Sequence, residues 1–559
     1  MPGRKTPWHG PRELGTTDTA MTAELLLRNG KIALLDRAGR FATALAVRGG
    51  RIIATGDDAA LASLTGPETE TVDLEGRTVI PGIVDSHCHP DSYAIRLLKW
   101  QALGPDRIGS KSQLLQTIAD TARTLPQDRW FIGYRFNEQR SGGYPTIGEL
   151  DAASGGRPVL IMRTCGHLAL VNSAAFKAAG VFPDAEDPPF GRFDRDPASG
   201  AFTGLVRETA AHLFLGQNQD TDTPEDIARG MDMVFAECLS LGITSLYNSL
   251  TSSKAIRAYQ LMKQRGRLLL RMGIIASGRE DDLIESLIRT GIESGFGDDW
   301  LRVIGVEWCP DCSTSGRTAA YYEPYVGQRA LGEPEENRGM LLYEAEDLNA
   351  RATAAHKAGL LVCIEGVGDR GIDFALDAIE AALTAHPVPD HRMRVEHCCY
   401  VTPAIRERMR RLGAVDSSAT GFMYDLGDAY IANRGPDAMR HMWPHRTLID
   451  QGIPAPGHSD AAVCQFNPFL AMWSMVNRKT ATGQSLDPRE AVTSMEALRA
   501  YTTLGAWSGR EEASKGSLEP GKLADFAVLD RDYFTIDPDE IREVRVLATY
   551  VGGVCRYRG

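Results

Sequence analysis

Eight apolar segments of strand length recur through the middle of this 559-residue chain, and several are preceded by amphipathic segments of helical length. The strand candidates are "VIPGIVDSHCH" from 79, "GITSLYNS" at 242–249, "LLLRMGII" at 268–275, "LRVIGVEW" at 301–308, "LLVCIE" at 360–365, "RMRVEH" at 392–397, "GAVDSSA" at 413–419 and "IPAPGHSD" at 453–460. The helical segments "MVFAECLSLG", "ARATAAHKAG", "RERMRRLG" and "RTLIDQG" each end in Gly, the residue that most readily takes the left-handed turn closing a helix. Strand–helix alternation implies parallel strands joined by crossover helices. Eight such units predict an α/β fold, a (β/α)8 TIM barrel over residues 81–511. The stretch from about 95 to 220 breaks the alternation and reads as an insertion between the first two barrel strands.

The chain ends have a different texture. Residues 24–80 alternate short apolar runs with Gly-containing turns, as do "GSLEPGKLADFAVLD" and "VRVLATYVGGVCRY" near the C-terminus. One small β-sandwich domain, built from residues 21–80 and 512–559, accounts for both. Residues 1–20 are polar and rich in Gly, Pro and Thr, and read as a flexible tail, with Met21 an alternative start.

A net charge of −12 argues against a nucleic-acid partner or an acidic membrane surface. No apolar run reaches membrane-spanning length. The ten cysteines show no disulfide-framework spacing, which fits a reducing, cytoplasmic setting. No phosphate loop or nucleotide fingerprint stands out, so the expected partner is a small-molecule substrate without a nucleotide cofactor. A symmetric homodimer is the expected assembly if the chain oligomerises.

Barrel chemistry sits at the C-terminal ends of the strands. There this sequence places His87 and His89, Glu307, Glu365, His397, His458 and Asp460. Side chains alternate faces along a strand, so His87 and His89 share the face toward the barrel mouth while Cys88 packs outward. A single histidine in such a place is most often a hydrogen-bonded structural residue. A chelating pair, with acids and further histidines at other strand ends, suits Zn²⁺ or another divalent first-row metal. Glu396 precedes His397, and alternation turns it toward the helices.

On these residues the sequence resembles the amidohydrolase superfamily, and within it amidohydrolase family 3, the branch that includes N-substituted formamide deformylases. "VIPGIVDSHCHP" matches the first-strand HxH motif. "RPVLIMRTCGHLALVNSAAF", with His167 and Asn172, matches a segment of the insertion. "GITSLYNS", "GRTAAYYEPY", "RVEHC", "SDAAVCQFNPF" and "GSLEPGKLADFAVLD" fall where family motifs stand. The resemblance implies one or two divalent ions, Zn²⁺ first and Mn²⁺ or Fe²⁺ as alternatives, held by His87, His89, Glu307, Glu365, His397 and Asp460. The chain departs from the family at Glu307, where a carbamylated lysine is usual, and at Glu365, where a histidine is usual. His458 stands where glycine is common, and "WFIGYRF" closes in Arg135 and Phe136 and continues with Asn137 and Glu138 rather than with the usual aromatic-acidic stretch. More carboxylate oxygen hardens the site toward Mn²⁺ or Fe²⁺; alternatively Glu365 is a catalytic or substrate-binding carboxylate beside a single ion.

The implied activity is hydrolysis of an amide or formamide-type C–N bond by metal-activated water. Asp460 is the proton acceptor, Glu365 and His458 are further catalytic candidates, and His397 or His458 can steady an oxyanion. His167 is a candidate substrate contact, and Arg317 either binds a substrate anion or ties a loop by an ion pair. His356 reads as structural. Cys309 and Cys312 form a lone C-x-x-C, weak evidence for zinc or redox chemistry; Cys165, Cys398 and Cys399 read as packed thiols. Two other outcomes stay open: decarboxylation, isomerisation or ring opening on the same barrel, and a barrel that has lost catalysis.

Overall fold

The computed structural model describes residues 22–104, 107–126, 129–219, 222–280, 282–329 and 333–559. The candidate tail at 1–20 therefore lies outside the described residues. A parallel sheet of seven strands forms the barrel wall in sequential order: β1 (Ile83–Cys88), β2 (Ile243–Thr251), β3 (Arg271–Ser277), β4 (Leu301–Trp308), β5 (Leu361–Gly366), β6 (Arg394–His397) and β7 (Val415–Ser418). Each is buried along nearly its whole length, as strands covered on both faces must be. Val84, Tyr247, Ile275, Ile304, Leu361 and Cys363 fill the barrel interior.

The eighth position is occupied, but not by a regular strand. "IPAPGHSD" contains two prolines, which have no N–H to give a ladder. Its carbonyls do pair: Asp416 and Ser418 N–H donate to Pro454 and Pro456 O at 3.0 and 2.8 Å. On the other side Asp460 N–H donates to His87 O at 3.0 Å. The barrel thus closes between β7 and β1 through backbone bonds on both flanks.

β1 continues directly from a strand of another layer. Thr78–Pro81 pairs antiparallel with Phe526–Leu529 and parallel with Lys31–Ala33, in a six-stranded sheet drawn from both chain ends. A four-stranded sheet from residues 25–73 packs beside it. Gly82 marks the passage between layers: a Cβ there would lie 2.1 Å from Thr244 Oγ1, so no larger residue fits. Two helices brace β1 and β2 from outside, α1 (Pro90–Lys99) and α2 (Pro224–Ser240). Thr223 and Asp226 start α2 with a reciprocal capping box. Gly230 lets the two helices touch backbone to side, since a Cβ there would meet Ala94 O at 2.3 Å.

Between α1 and α2 lies a six-stranded mixed sheet, ordered Gly191–Arg195, Phe202–Glu208, Leu168–Val171, Val159–Arg163, Phe131–Phe136 and Gln101–Ala102. It rests on the loop following β4: Arg163 Nη1 donates to Ser315 Oγ at 3.3 Å, and Arg207 Nη1 to Gly316 O at 2.9 Å. Asn172 organises it locally, accepting from Val159 and Ala175 N–H at 2.9 and 3.1 Å. Among the described residues no helix is long and apolar enough to cross a membrane.

Candidate metal centre and active site

His87 is fully buried, and its Nδ1 lies 2.9 Å from Glu396 Oε2. A carboxylate accepts, so Nδ1 carries a proton, and Nε2 faces the barrel mouth 3.5 Å from Asp460 Oδ1. His89 repeats the pattern. Its Nδ1 donates to Ser249 O at 3.0 Å, and its Nε2 lies 3.0 Å from the same oxygen of Asp460. Metal-binding imidazoles are oriented in this way, by an acceptor on the far nitrogen.

Asp460 arrives on the segment that closes the barrel, in the left-handed region at φ 56°. Ser459 locks that segment by donating from N and Oγ to Asp85 at 3.0 and 2.5 Å. His458 points Nε2 at Ser417 O, 3.2 Å away, which leaves Nδ1 as its lone pair; its ring stacks on His87 at 4.7 Å. The His397 ring sits 4.7 Å from His87 and stacks on Phe422 at 5.3 Å. Its Nε2 lies 3.8 Å from Glu365 Oε1. Glu307, at the end of β4, brings Oε1 to 3.9 Å from His87 Nδ1.

Glu396 overturns an expectation. It points into the barrel, not toward the helices, and Arg394 grips it with Nε–Oε1 and Nη2–Oε2 bonds of 2.6 and 2.8 Å. Strict alternation fails because His397 has φ 70°, which swings its side chain inward beside that of its neighbour.

Five buried donor atoms here have no partner in hydrogen-bond geometry: His87 Nε2, Glu307 Oε2, His397 Nδ1, His458 Nδ1 and Asp460 Oδ1. Buried polar groups are almost always satisfied, so a cluster of orphans of this kind fits a cation held between them. Donor atoms of His87, His89 and Asp460 fall within 4.8 Å of one another, as do those of His87, Glu396 and His458. Glu307, Glu365 and His397 flank these groups. Nitrogen and carboxylate oxygen together suit Zn²⁺, Mn²⁺ or Fe²⁺.

The electrostatics agree. Burial alone would lower the His87 pKa, yet Glu307, Asp460 and Glu396 raise it well above the ordinary value. Asp460 is held far below the usual carboxylate range, against the effect of burial, by His397, His87 and His89. Burial lifts Glu307 to about 7, with His87 opposing. The site as a whole draws positive charge.

Arg317 is engaged by its own loop and by Asn433. Its Nε donates to Glu333 at 2.7 Å and its Nη1 to Val326 O and Asn433 Oδ1 at 2.6 and 3.0 Å. His356, on the helix Ala345–Lys357, donates from Nε2 to His386 O at 2.9 Å. Cys399 packs against Tyr430 and Cys398 against Met409. His167 meets Glu208, Nδ1 to Oε2 at 2.8 Å. Glu208 and the nearby Glu365 lift it to about 10 although burial opposes them. Sequence reasoning missed Glu208, Asp85 and Phe422 and turned Glu396 to the opposite face.

The model of the amidohydrolase family matches residues 70–557. The chain is similar to N-substituted formamide deformylase of Arthrobacter pascens, 28% identical over 553 residues, covering 96% of this chain and 98% of that relative. It is also similar to the putative amidohydrolase YtcJ of Bacillus subtilis (strain 168), 29% identical over 503 residues, covering 88% and 91%. Among solved structures, an uncharacterized metal-dependent hydrolase from Pyrococcus horikoshii OT3 superposes with a TM-score of 0.73 at 25% identity, over 92% of this chain and 99% of that one. The chain therefore belongs to the amidohydrolase family, as a hydrolase acting on C–N bonds.

Proposed function

We propose that the protein cleaves an amide or formamide-type C–N bond of a small molecule, using one or two divalent ions at the barrel mouth. The observation that carries this is the set of five buried donor atoms around His87 that make no hydrogen bond, converging with His89 on Asp460. The formamide deformylase named above, similar over nearly the whole chain, supports the bond type. His87, His89 and Asp460 would hold the ion, with His458, His397, Glu307 and Glu365 beside them; Zn²⁺ is the first choice. A divalent ion there would lower the pKa of water toward about 7 and polarise a carbonyl oxygen.

The side chains supply the rest. Asp460, kept ionised by three histidines, accepts the proton of the attacking water and returns it to the leaving nitrogen. His397, braced by Phe422 and Glu365, is placed to steady a developing oxyanion. The insertion and the loops after β4 and β5 would wall the substrate pocket, with His167 on that wall. Ten free cysteines support a reducing, cytoplasmic setting.

The test is elemental analysis of protein purified without chelator, together with amine release from a panel of primary amides and N-substituted formamides. Bound metal is expected, with turnover lost on chelation and restored by Zn²⁺. Asp460→Asn is expected to lower kcat by about 10²–10⁴-fold. Metal at full occupancy with no amine released would point to decarboxylation or isomerisation on the same barrel. Metal-free protein would sink the hydrolytic scheme.

A further inference from the structure

The C-x-x-C of "EWCPDCS" divides its thiols between two places. Cys309 Sγ lies 3.8 Å from Glu307 Oε1, beside the centre already described. Cys312 faces the insertion instead. Donor atoms of Cys312, His167 and Glu208 all lie within 4.8 Å of one another. Three segments bring them together. His167 and Glu208 flank the antiparallel pair that sets Leu168 opposite Arg207, and Glu208 N–H donates to His167 O at 2.8 Å. Cys312 is placed by its neighbour Asp311, whose carboxylate accepts from Ala320, Val367 and Gly368 N–H at 2.7, 2.6 and 2.9 Å. The thiol itself reaches only Met340 O, at 3.9 Å.

We propose that His167, Glu208 and Cys312 form a second metal site, selective for a Zn²⁺-like ion, that clips the insertion to the loop after β4. Imidazole nitrogen, carboxylate oxygen and thiolate sulfur are all Zn²⁺ donors, and three of them leave a fourth position for water or a substrate group. Tetrahedral Zn²⁺ with bonds of about 2.0–2.3 Å holds its donors roughly 3.3–3.8 Å apart, so ligation would open the 2.8 Å His167–Glu208 contact and set Cys312 at the same spacing from both. The seam is already closed by the Arg163–Ser315 and Arg207–Gly316 bonds, so the ion reinforces an existing contact. His167, with its side chain 19% exposed, leaves a way in from solvent. Uptake displaces the proton between His167 and Glu208 and the Cys312 thiol proton, so about two protons are released per ion bound.

Zinc K-edge absorption on the zinc-loaded full chain, with elemental analysis, tests the site. The wild type should show a sulfur scatterer at about 2.3 Å. Cys312→Ser and His167→Ala should each lose that scatterer together with about one zinc per chain, while Cys309→Ser keeps both. A sulfur scatterer lost in Cys309→Ser and kept in Cys312→Ser would move the thiolate to the His87 centre and overturn the proposal. So would a fully loaded wild type with no sulfur scatterer, which would leave an ion pair beside a packed thiol. If Cys312→Ser does not fold, His167→Ala, at a partly exposed position, gives the same readout. His87→Ala should lower zinc content without touching the sulfur signal, so the two centres stand or fall separately.

Discussion

Two buried charge clusters in this molecule are built from similar residues and end in opposite states. In the insertion, Arg207 sits on Asp194 through Nε–Oδ1 and Nη2–Oδ2 bonds of 2.9 and 2.8 Å, and Arg192 Nε adds a third at 2.9 Å. Arg207 also spends Nη1 on Gly316 O. There each charge meets its opposite. At the barrel mouth, Glu396 is likewise gripped by Arg394, but Glu307, Asp460 and three imidazoles above it keep donor atoms bare. Burial is equal in the two places. The first cluster is complete from its own residues, and the second has the donor set that a divalent cation would complete.

Breaking the complete cluster should have the largest effect on stability. Arg207→Ala leaves the buried Asp194 only the partly exposed Arg192 as a partner, at a cost of up to about 3–5 kcal/mol. Urea unfolding measures the loss, and activity per folded molecule should stay near that of the wild type. A loss below about 1 kcal/mol would mean the pair behaves like an exposed one. At the mouth, Glu396→Gln keeps an oxygen for the His87 Nδ1–H but removes the charge behind it. Affinity for Zn²⁺, read per folded molecule by chelator competition, should fall about 10–100-fold. Unchanged affinity would make the His87–Glu396 contact a matter of packing alone.

The barrel was legible because its strands are unbroken apolar runs reached through Gly-ended helices, as "RERMRRLG" leads into Val415–Ser418. Gly413 does take the left-handed conformation that ends that helix. The histidine pair was legible from its period of two. What escaped depends on backbone departures that a sequence does not display. Proline turned "IPAPGHSD" into a closing segment rather than a strand. A left-handed His397 put two consecutive side chains on one side, and so hid Glu396 from any reading based on alternation. Glu208 escaped for another reason: it lies 41 residues from His167, and only the hairpin geometry of the insertion makes them neighbours.

Bare donors alone do not make a cation site, and His445 sharpens the point. Both of its ring nitrogens are buried without partners, as at the mouth. Its charged neighbour is the Arg478 guanidinium, and burial first, then that cation, depresses its pKa to about 3. Such a ring repels what His87 attracts. The sign follows from linkage: the unfolded chain takes up this proton near 6.5 and the folded protein only near 3. The contribution to stability is therefore complete above about 6.5 and is lost as pH falls toward 3, at about 1.4 kcal/mol per pH unit. His445→Leu fills similar space without the titrating ring. The difference in unfolding free energy between pH 7.5 and 5.5 should shrink by about 1.4 kcal/mol in this variant relative to the wild type. An unchanged difference would show that the folded protein does protonate His445, and that a neighbouring guanidinium is too weak a guard to separate an idle orphan from a metal ligand.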